Sequence, residues 1–425
     1  MKEYLVGGAV RDSLLGLPVS DRDWVVTGAS IEQLIAKGYQ QVGRDFPCFL
    51  HPHTKEEYSL ARRALSKGES TAGFRYEFGV DVTLEEDLFH RDLTINAIAR
   101  TAEGTYVDPY GGREDLAAGL LRHVSGSFAD DPLRVLRVAR FAARYADLGF
   151  QVHDGTLDLM RQLVESGAVA SIAAERLWKE MVRALNESKP SVFFHVLRAC
   201  GALQVLLPEL DRLFGVPQPV LHHPEVDTGD HVMLVVDYAK QHFDTPLVSW
   251  AALLHDLGKG VTPAEEWPRH ICHEIKGVPL VAAVCERFCV PANYTALAEL
   301  VAEHHLRCHK CMEMRPRSVM RLLEAVDAIR RPERLAFFSQ ACEADAKGRK
   351  GLENQPYPQA AFLRACNEAA RGVEITSLIQ QGYEAKGLAE QIRRKRIAAI
   401  ASYTRVFKER VRKQSAGDNK IQDCL

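Results

Sequence analysis

Over the first 125 or so residues, short apolar runs alternate with turn residues: Tyr4-Leu5-Val6 ahead of Gly7-Gly8, then Trp24-Val25-Val26, Gln40-Gln41-Val42 and Glu57-Tyr58-Ser59-Leu60. Runs this short, bounded by turn signals, predict strands, and between them the spacing predicts helices over Ala9 to Leu15 and Ile31 to Lys37, together an α+β layer. From about residue 130 the strand signals fade. Helical periodicity replaces them, as in Pro132 to Ala146, Glu175 to Leu185 and Ser191 to Cys200, so the rest of the chain is expected to be helical. Val216-Pro217-Gln218-Pro219 predicts a boundary, beyond which a His-rich helical segment runs to about 350, and Pro356-Tyr357-Pro358 predicts a break before a last helical segment. No run of about 18 apolar residues occurs, so no membrane span is expected. Glu3, Arg11 and Asp12 interrupt any apolar leader core. A cytoplasmic, soluble protein is the expectation.

A length of 425 residues excludes a single small module and leaves room for about two to four domains. With 46% hydrophobic and 26% charged residues the chain can bury substantial cores. The 54 basic and 56 acidic side chains nearly cancel, which excludes a polybasic coat for nucleic acid. The cancellation is regional. Residues 391–413 hold nine basic side chains and the single acid Glu409, a charge of +8, against −9 over 1–390 and −1 beyond 413. That segment reads either as a solvated helix face, with Ile400, Tyr403, Phe407 and Val411 as its apolar stripe, or as a phosphate-backbone contact. The ten cysteines read as reduced thiols. Cys308-x-x-Cys311 has metal-ligand spacing, but a four-thiolate site would need Cys285 and Cys289 to converge on it.

Leu5-Val6-Gly7-Gly8-Ala9-Val10-Arg11-Asp12 reads as a strand, a glycine turn and a helix start, a form that lets backbone approach a phosphate. Asp21-Arg22-Asp23 runs straight into Trp24-Val25-Val26. On an extended strand residues i and i+2 share a face, so both carboxylates can meet the Mg²⁺ ions of phosphoryl transfer. Arg134, Arg137 and Arg140 recur every three positions, which makes one helical stripe suited to a triphosphate or a base edge. Asp131 and Arg134 together can read a base: the carboxylate accepts from the exocyclic amino group of C or A, and the guanidinium donates to ring acceptors.

The glycine turn and the paired aspartates resemble the nucleotidyltransferase superfamily that includes DNA polymerase β. Asp87-Leu88-Phe89-His90-Arg91-Asp92-Leu93-Thr94-Ile95-Asn96-Ala97 resembles that family's RRDxTxNA segment, and Asp130-Asp131-Pro132-Leu133-Arg134-Val135-Leu136-Arg137-Val138-Ala139-Arg140-Phe141 resembles its EDxxRxxRxxRF helix. By these ordered motifs the chain is identified as a member of the bacterial tRNA nucleotidyltransferases, the CCA-adding enzymes. The resemblance implies that Asp21 and Asp23 hold Mg²⁺ and are catalytic, that Gly8, Arg11, Arg91, Arg137 and Arg140 contact the nucleotide, and that the pair Asp131 and Arg134 selects CTP and then ATP without a template. Glu57 is a candidate third carboxylate or an exposed strand glutamate. Two departures stand out: His90 where relatives carry arginine, and Ala61-Arg62-Arg63-Ala64-Leu65-Ser66-Lys67 where they carry a stretch like ARTERK, in a loop that in the family influences the final A addition.

His255-Asp256 ends the apolar run Trp250-Ala251-Ala252-Leu253-Leu254, with His231 before it and His273, His304, His305 and Asp345 after it. That order resembles the HD phosphohydrolase superfamily, in which imidazoles and carboxylates bind a divalent metal. The resemblance implies His231, His255, Asp256 and Asp345 as ligands, His255 and Asp256 as catalytic, with His273 and one of His304 or His305 at a second metal or a phosphate. Nitrogen ligands favour a divalent transition ion such as Ni²⁺ over Mg²⁺.

The expected fold is α+β: a polymerase β-like head over 1–125, a helical nucleotide-selecting neck over 126–215, an HD phosphohydrolase domain over 216–350 and a helical tail over 351–425. The expected function is template-independent addition of C, C and A to the tRNA 3′ end from CTP and ATP. The HD domain is expected to add 2′,3′-cyclic phosphodiesterase, 2′-nucleotidase and phosphatase activity, in a monomer or homodimer. A CC-adding enzyme, a poly(A) polymerase of the same superfamily and a catalytically decayed tRNA-binding protein are the alternatives.

Overall fold

The computed structural model describes all residues except 20, 43–46, 65–75, 222, 380–384 and 423–425. The chain divides into two compact units, Met1–Leu206 and Leu207–Leu425. Leu65, Ser66 and Lys67 of the departing loop lie outside the described residues.

The first unit is built on a seven-stranded mixed sheet. Its strands β1 (Lys2–Val6), β2 (Asp23–Thr27), β3 (Gln40–Val42), β4 (Cys48–Leu50) and β5 (Glu57–Leu60) are joined by Ala99–Thr101 and Tyr106–Val107, in the order β3, β4, β5, β2, β1, Ala99–Thr101, Tyr106–Val107. Alternation sets the faces. On one side Val6, Val25, Leu88, Ala97 and Ala99 form a core; on the other Val26, Leu34, Phe49, Tyr58 and Leu60 form a second one. Register positions the chemistry: Val6 pairs with Asp23 across β1 and β2, and Asp23 pairs with Glu57 in the parallel β2–β5 ladder. The Gly7-Gly8 turn is thereby held beside the aspartates.

The short Leu84–Phe89 helix begins with a capping box, the Thr83 side chain accepting from the Glu86 backbone and Glu86 accepting from that of Thr83. It stops at His90, and Arg91 follows against the Gly7 turn at the end of β1. The Arg134–Arg144 helix buries Val135, Leu136, Val138, Ala139, Ala142 and Ala143, which packs it against the helices Ala174–Leu185 and Pro190–Ala199. Arg134 and Arg140 are buried with it, and the Arg137 side chain is about one-third exposed.

Among its described residues, the regular elements of the second unit are all helices. The helices Thr228–Phe243, Pro246–Leu254, Ala292–His309 and Pro332–Lys347 pack on one another around Trp250, Val301, Phe338 and their neighbours, with His273–Arg287 against Ala292–His309. Leu207, Leu210 and Leu213 are buried in this unit, and Gln218 N–H donates to the Val226 carbonyl. Among the described residues no helix is long and apolar enough to cross a membrane.

Candidate functional site

Two groups of polar side chains stand out, one in each unit. In the first unit a cavity of about 490 Å³ is lined by Gly8, Arg11, Asp23, Arg91, Asp131 and the arginine stripe, all expected from the sequence. Arg62, His90, Asp92, Asn96, Arg144 and Arg176 also line it and were not assigned roles. For Asp92 and Asn96 the signal was present in the motif; for Arg144 and Arg176 only folding supplies it.

Asp23 is placed by β2. Loss of solvation pushes its carboxyl pKa up, Arg91 pulls it down, and the like charge of Asp21 pushes it up further. The two repelling carboxylates suit a hard divalent cation such as Mg²⁺; Glu57 is paired in register with Asp23 on the neighbouring strand, but these three do not converge as the donor groups of the second unit do. Gly7 has φ +67°, and a Cβ there would lie 2.8 Å from Arg91 Nη1, so a side chain would push Arg91 out of place.

The arginines are held by the protein itself. Arg11 Nε donates to Asp12 Oδ1 at 2.8 Å and Nη1 to Asn96 Oδ1, while Arg144 and the Tyr145 hydroxyl, each at 2.9 Å, fix Asp12. Arg134 donates to the carbonyls of Ser127 and His90, at 2.7 and 2.6 Å. Arg137 Nε donates to Asp92 Oδ2 at 2.8 Å, and Asn96 Nδ2 to Asp92 Oδ1 at 2.8 Å. Burial opposes charge on Asp92, yet Arg137, Asn96 and Arg134 together hold its carboxyl well below the usual range. Arg140 reaches Glu180 and Glu187, at 2.8 and 3.0 Å. Asp131 accepts from Arg176 at 2.7 Å. The stripe is therefore prearranged by the protein's own acceptors.

In the second unit three groups of donor atoms converge: His231, His255 and Asp345; Asp256, His273 and His305; and His223, Glu225 and His231. Of the adjacent pair, His305 enters a group, whereas His304 Nδ1 lies 3.7 Å from Glu303. Asp256 touches two groups, its Oδ2 3.1 Å from His255 Nε2 and its Oδ1 3.3 Å from His273 Nε2. Lys259 Nζ, 2.6 Å from Asp256 Oδ2, also donates to Gln218. Backbone carbonyls accept from Nδ1 of His255 (Ala252, 2.7 Å), His273 (His270, 2.9 Å) and His305 (Val301, 3.0 Å). This tautomer turns each Nε2 lone pair inward. His231 Nδ1 sits 2.9 Å from Glu225 and its Nε2 3.2 Å from Asp345.

Burial penalises the charge of Asp256 and Asp345, but histidine and lysine or arginine neighbours hold both carboxyls well below the usual range. Burial lowers the His255 pKa and the two carboxylates more than reverse it. Burial also takes His305 down to about 3. Inward lone pairs and buried carboxylates that draw positive charge fit a divalent metal of borderline softness. Sequence reasoning missed Glu225, His223 and His309, none of which stands in a recognisable motif. Cys308 and Cys311 pack near Cys342 and Cys366, whereas Cys285 lies against Thr295 and Trp250.

Three family models match the chain: the Poly A polymerase head domain over 3–122, the probable RNA and SrmB-binding site of polymerase A over 149–214, and the HD domain over 228–336. The multifunctional CCA protein of Ectopseudomonas mendocina is 56% identical over 404 residues, 95% of this chain and 98% of its own length. That of Pseudomonas aeruginosa strain PAO1 is 54% identical over 403 residues, with the same coverage. Among solved structures, the Bacillus stearothermophilus CCA-adding enzyme in complex with CTP shares the fold with a TM-score of 0.63 at 22% identity, covering 98% of this chain and 94% of that one. The Thermotoga maritima CCA-adding enzyme complexed with tRNA does so with a TM-score of 0.61 at 20% identity, covering 94% and 87%.

Proposed function

The chain belongs to the multifunctional CCA protein family, CCA-adding nucleotidyltransferases that carry an HD domain, and on that premise we propose how its two sites act on a tRNA 3′ end. The head, neck, HD and tail divisions at about 125, 215 and 350 are part of this reading, as are a cytoplasmic setting and a monomer or homodimer. The observation that carries it is the shared cavity of Asp23, Arg91, Asp131 and the arginine stripe.

At the first site a tRNA 3′-hydroxyl attacks the α-phosphate of CTP or ATP and pyrophosphate leaves. Asp21 and Asp23, with Glu57 as the candidate third carboxylate, hold Mg²⁺, which supplies positive charge to the phosphates. Gly8, Arg11 and Arg91 receive the triphosphate, Arg11 being oriented by Asp12 and Asn96. Asp131 accepts from the exocyclic amino group of C or A. Arg134, anchored on two carbonyls, donates to the ring acceptors, a combination that neither U nor G matches. Arg137 and Arg140, held by carboxylates, keep the edge of the cavity rigid.

At the second site His231, His255, Asp256 and Asp345 hold a divalent transition ion such as Ni²⁺, with His273 and His305 at a second position, to supply Lewis acidity toward a phosphate ester. Lys259 presents its ammonium beside Asp256 to a phosphate oxygen. The substrates are 2′,3′-cyclic phosphates, 2′-nucleotides and terminal phosphates of damaged tRNA ends, cleared before the first site rebuilds them.

The test uses a tRNA lacking its end, labelled CTP and ATP, and a 2′,3′-cyclic nucleotide. Asp21→Ala and Asp23→Ala are expected to abolish incorporation and spare phosphate release; His255→Ala and Asp256→Ala are expected to do the reverse. Incorporation that survives Asp21→Ala overturns the reading. The altered Ala61–Lys67 stretch favours a second reading, a CC-adding enzyme, which would stop after two C and leave ATP unused.

A further inference from the structure

Pro356-Tyr357-Pro358 reads in the sequence as a break between helical segments, and Cys308-x-x-Cys311 as a pair with metal-ligand spacing. The fold brings both to the metal group of the second unit. Tyr357 Oη lies 3.1 Å from His309 Nδ1 and 3.4 Å from Cys308 Sγ. Gln359 Nε2 donates to the His309 carbonyl at 3.2 Å, and Cys311 Sγ donates to the Gln359 carbonyl at 3.9 Å. The segment is thus fastened to the last turn of the Ala292–His309 helix.

His309 passes the contact on. Its Nε2 lies 2.7 Å from Asp345 Oδ2, whereas Asp345 Oδ1 faces His231 Nε2 at 3.2 Å and His255 Nε2 at 3.7 Å. A carboxylate only accepts, so His309 directs an Nε2–H at Asp345. In that tautomer Nδ1 is the acceptor that the Tyr357 hydroxyl meets at 3.1 Å. Burial and the neighbouring thiols push the Tyr357 phenol upward, which keeps that proton in place. Arg349, just past the end of the Pro332–Lys347 helix, reaches Oδ1 at 3.2 Å and the Asp345 carbonyl with Nε, steadying the same residue.

We propose that Tyr357 and His309 are positioning residues of the second site: Tyr357 sets the tautomer of His309, and His309 holds Asp345 Oδ2 so that Oδ1 is presented to the His231 and His255 group. Neither residue belongs to the converging donor groups, so each acts through Asp345. Outer hydrogen bonds of this kind govern how well a carboxylate is aimed at a metal, and losing one costs about 10- to 100-fold in affinity or activity. The proposal rests on the metal reading of that group.

The experiment titrates full-length, metal-stripped protein with Co²⁺, following its visible absorption, and then measures kcat and KM for a 2′,3′-cyclic nucleotide, with CTP incorporation as the control for folding. His309→Ala is expected to weaken Co²⁺ binding about 10- to 100-fold and to lower kcat with little change in KM. Tyr357→Phe is expected to cause a smaller part of that loss. His309→Gln, whose amide can donate to Asp345 without a tautomer to be set, is expected to recover most of the binding, and Tyr357→Phe added to it to cost nothing more. Equal loss from Tyr357→Phe in both backgrounds, or wild-type binding in His309→Ala, overturns the proposal. His231→Ala separates the two levels. If it still binds Co²⁺ like the wild type, the metal reading falls; if it loses the ion while His309→Ala keeps it, only the positioning role falls.

Discussion

The Nε2 atoms of His273 and His305 face each other across 3.3 Å, and each ring's Nδ1 is committed to a backbone carbonyl. With both protons on Nδ1, two lone pairs point at one spot, and Asp256 Oδ1 stands 3.3 and 3.7 Å from them. Such a meeting repels unless a cation occupies it. Addition of a divalent transition ion at a hundred times its dissociation constant should therefore stabilise the second unit by about 2.7 kcal/mol. For a unit of this size that is roughly 5–10 °C in unfolding temperature, read by calorimetry on metal-stripped protein. Phosphate release should disappear on stripping and return with the ion, while CTP incorporation in Mg²⁺ should persist throughout.

Gly258 follows His255-Asp256 where the chain crosses the start of the His273–Arg287 helix. A Cβ there would lie 2.0 Å from the His273 carbonyl oxygen and 2.7 Å from the Gly277 nitrogen. Backbone cannot yield as a flexible side chain does, so Gly258→Ala must part Asp256 from His273. The expected result is a destabilisation of about 1–3 kcal/mol and loss of metal affinity. Transfer of CTP should be unaffected, measured on the same preparation.

Asp92 is 6% exposed and bonded to Arg137, Asn96 and the Leu93 N–H. Its folded pKa lies below its unfolded value, so its contribution to stability is complete above about pH 4 and is lost as the pH falls through the folded value. Asp92→Asn should flatten that part of the acid-unfolding profile of the first unit. Asp92→Ala should cost about 2–3 kcal/mol, at or below the usual figure for breaking a buried pair because Arg137 is one-third exposed. It should also depress incorporation by freeing Arg137.

Arg176 holds Asp131 beside the stripe. Asp131→Ala should relax the choice among nucleotides by about 1–3 kcal/mol, seen as UTP and GTP incorporation rising relative to CTP. Arg176→Ala leaves the carboxylate in place but unsteadied, so it should lower the rate with CTP and relax the choice less. Equal discrimination in all three proteins would contradict the base-reading role.

The sequence alone determined which chemistry is carried and by which strands and helices. Local signals are contiguous: the β1 run into Gly7-Gly8, Asp21-Arg22-Asp23 entering β2, the three arginines at helical spacing, and His255-Asp256 closing an apolar helix. The strands β1, β2, β3 and β5 and the first helices were legible for the same reason. Short strands such as Ala99–Thr101 and Tyr106–Val107 were not, because two or three residues carry no period.

Tertiary structure alone decided the partners. Arg144 and Asp12 stand 132 positions apart, and His231 and Asp345 stand 114 apart. No local pattern encodes such pairings, since they arise only when apolar faces pack. The same packing set His305 in a donor group and His304, also buried, beside Glu303, because adjacent residues on a helix point about 100° apart. It also turned Tyr357, a residue between two prolines in an expected break, toward His309 and the metal group. Residue types and short spacing set what each side chain can do; burial and register set which of them meet.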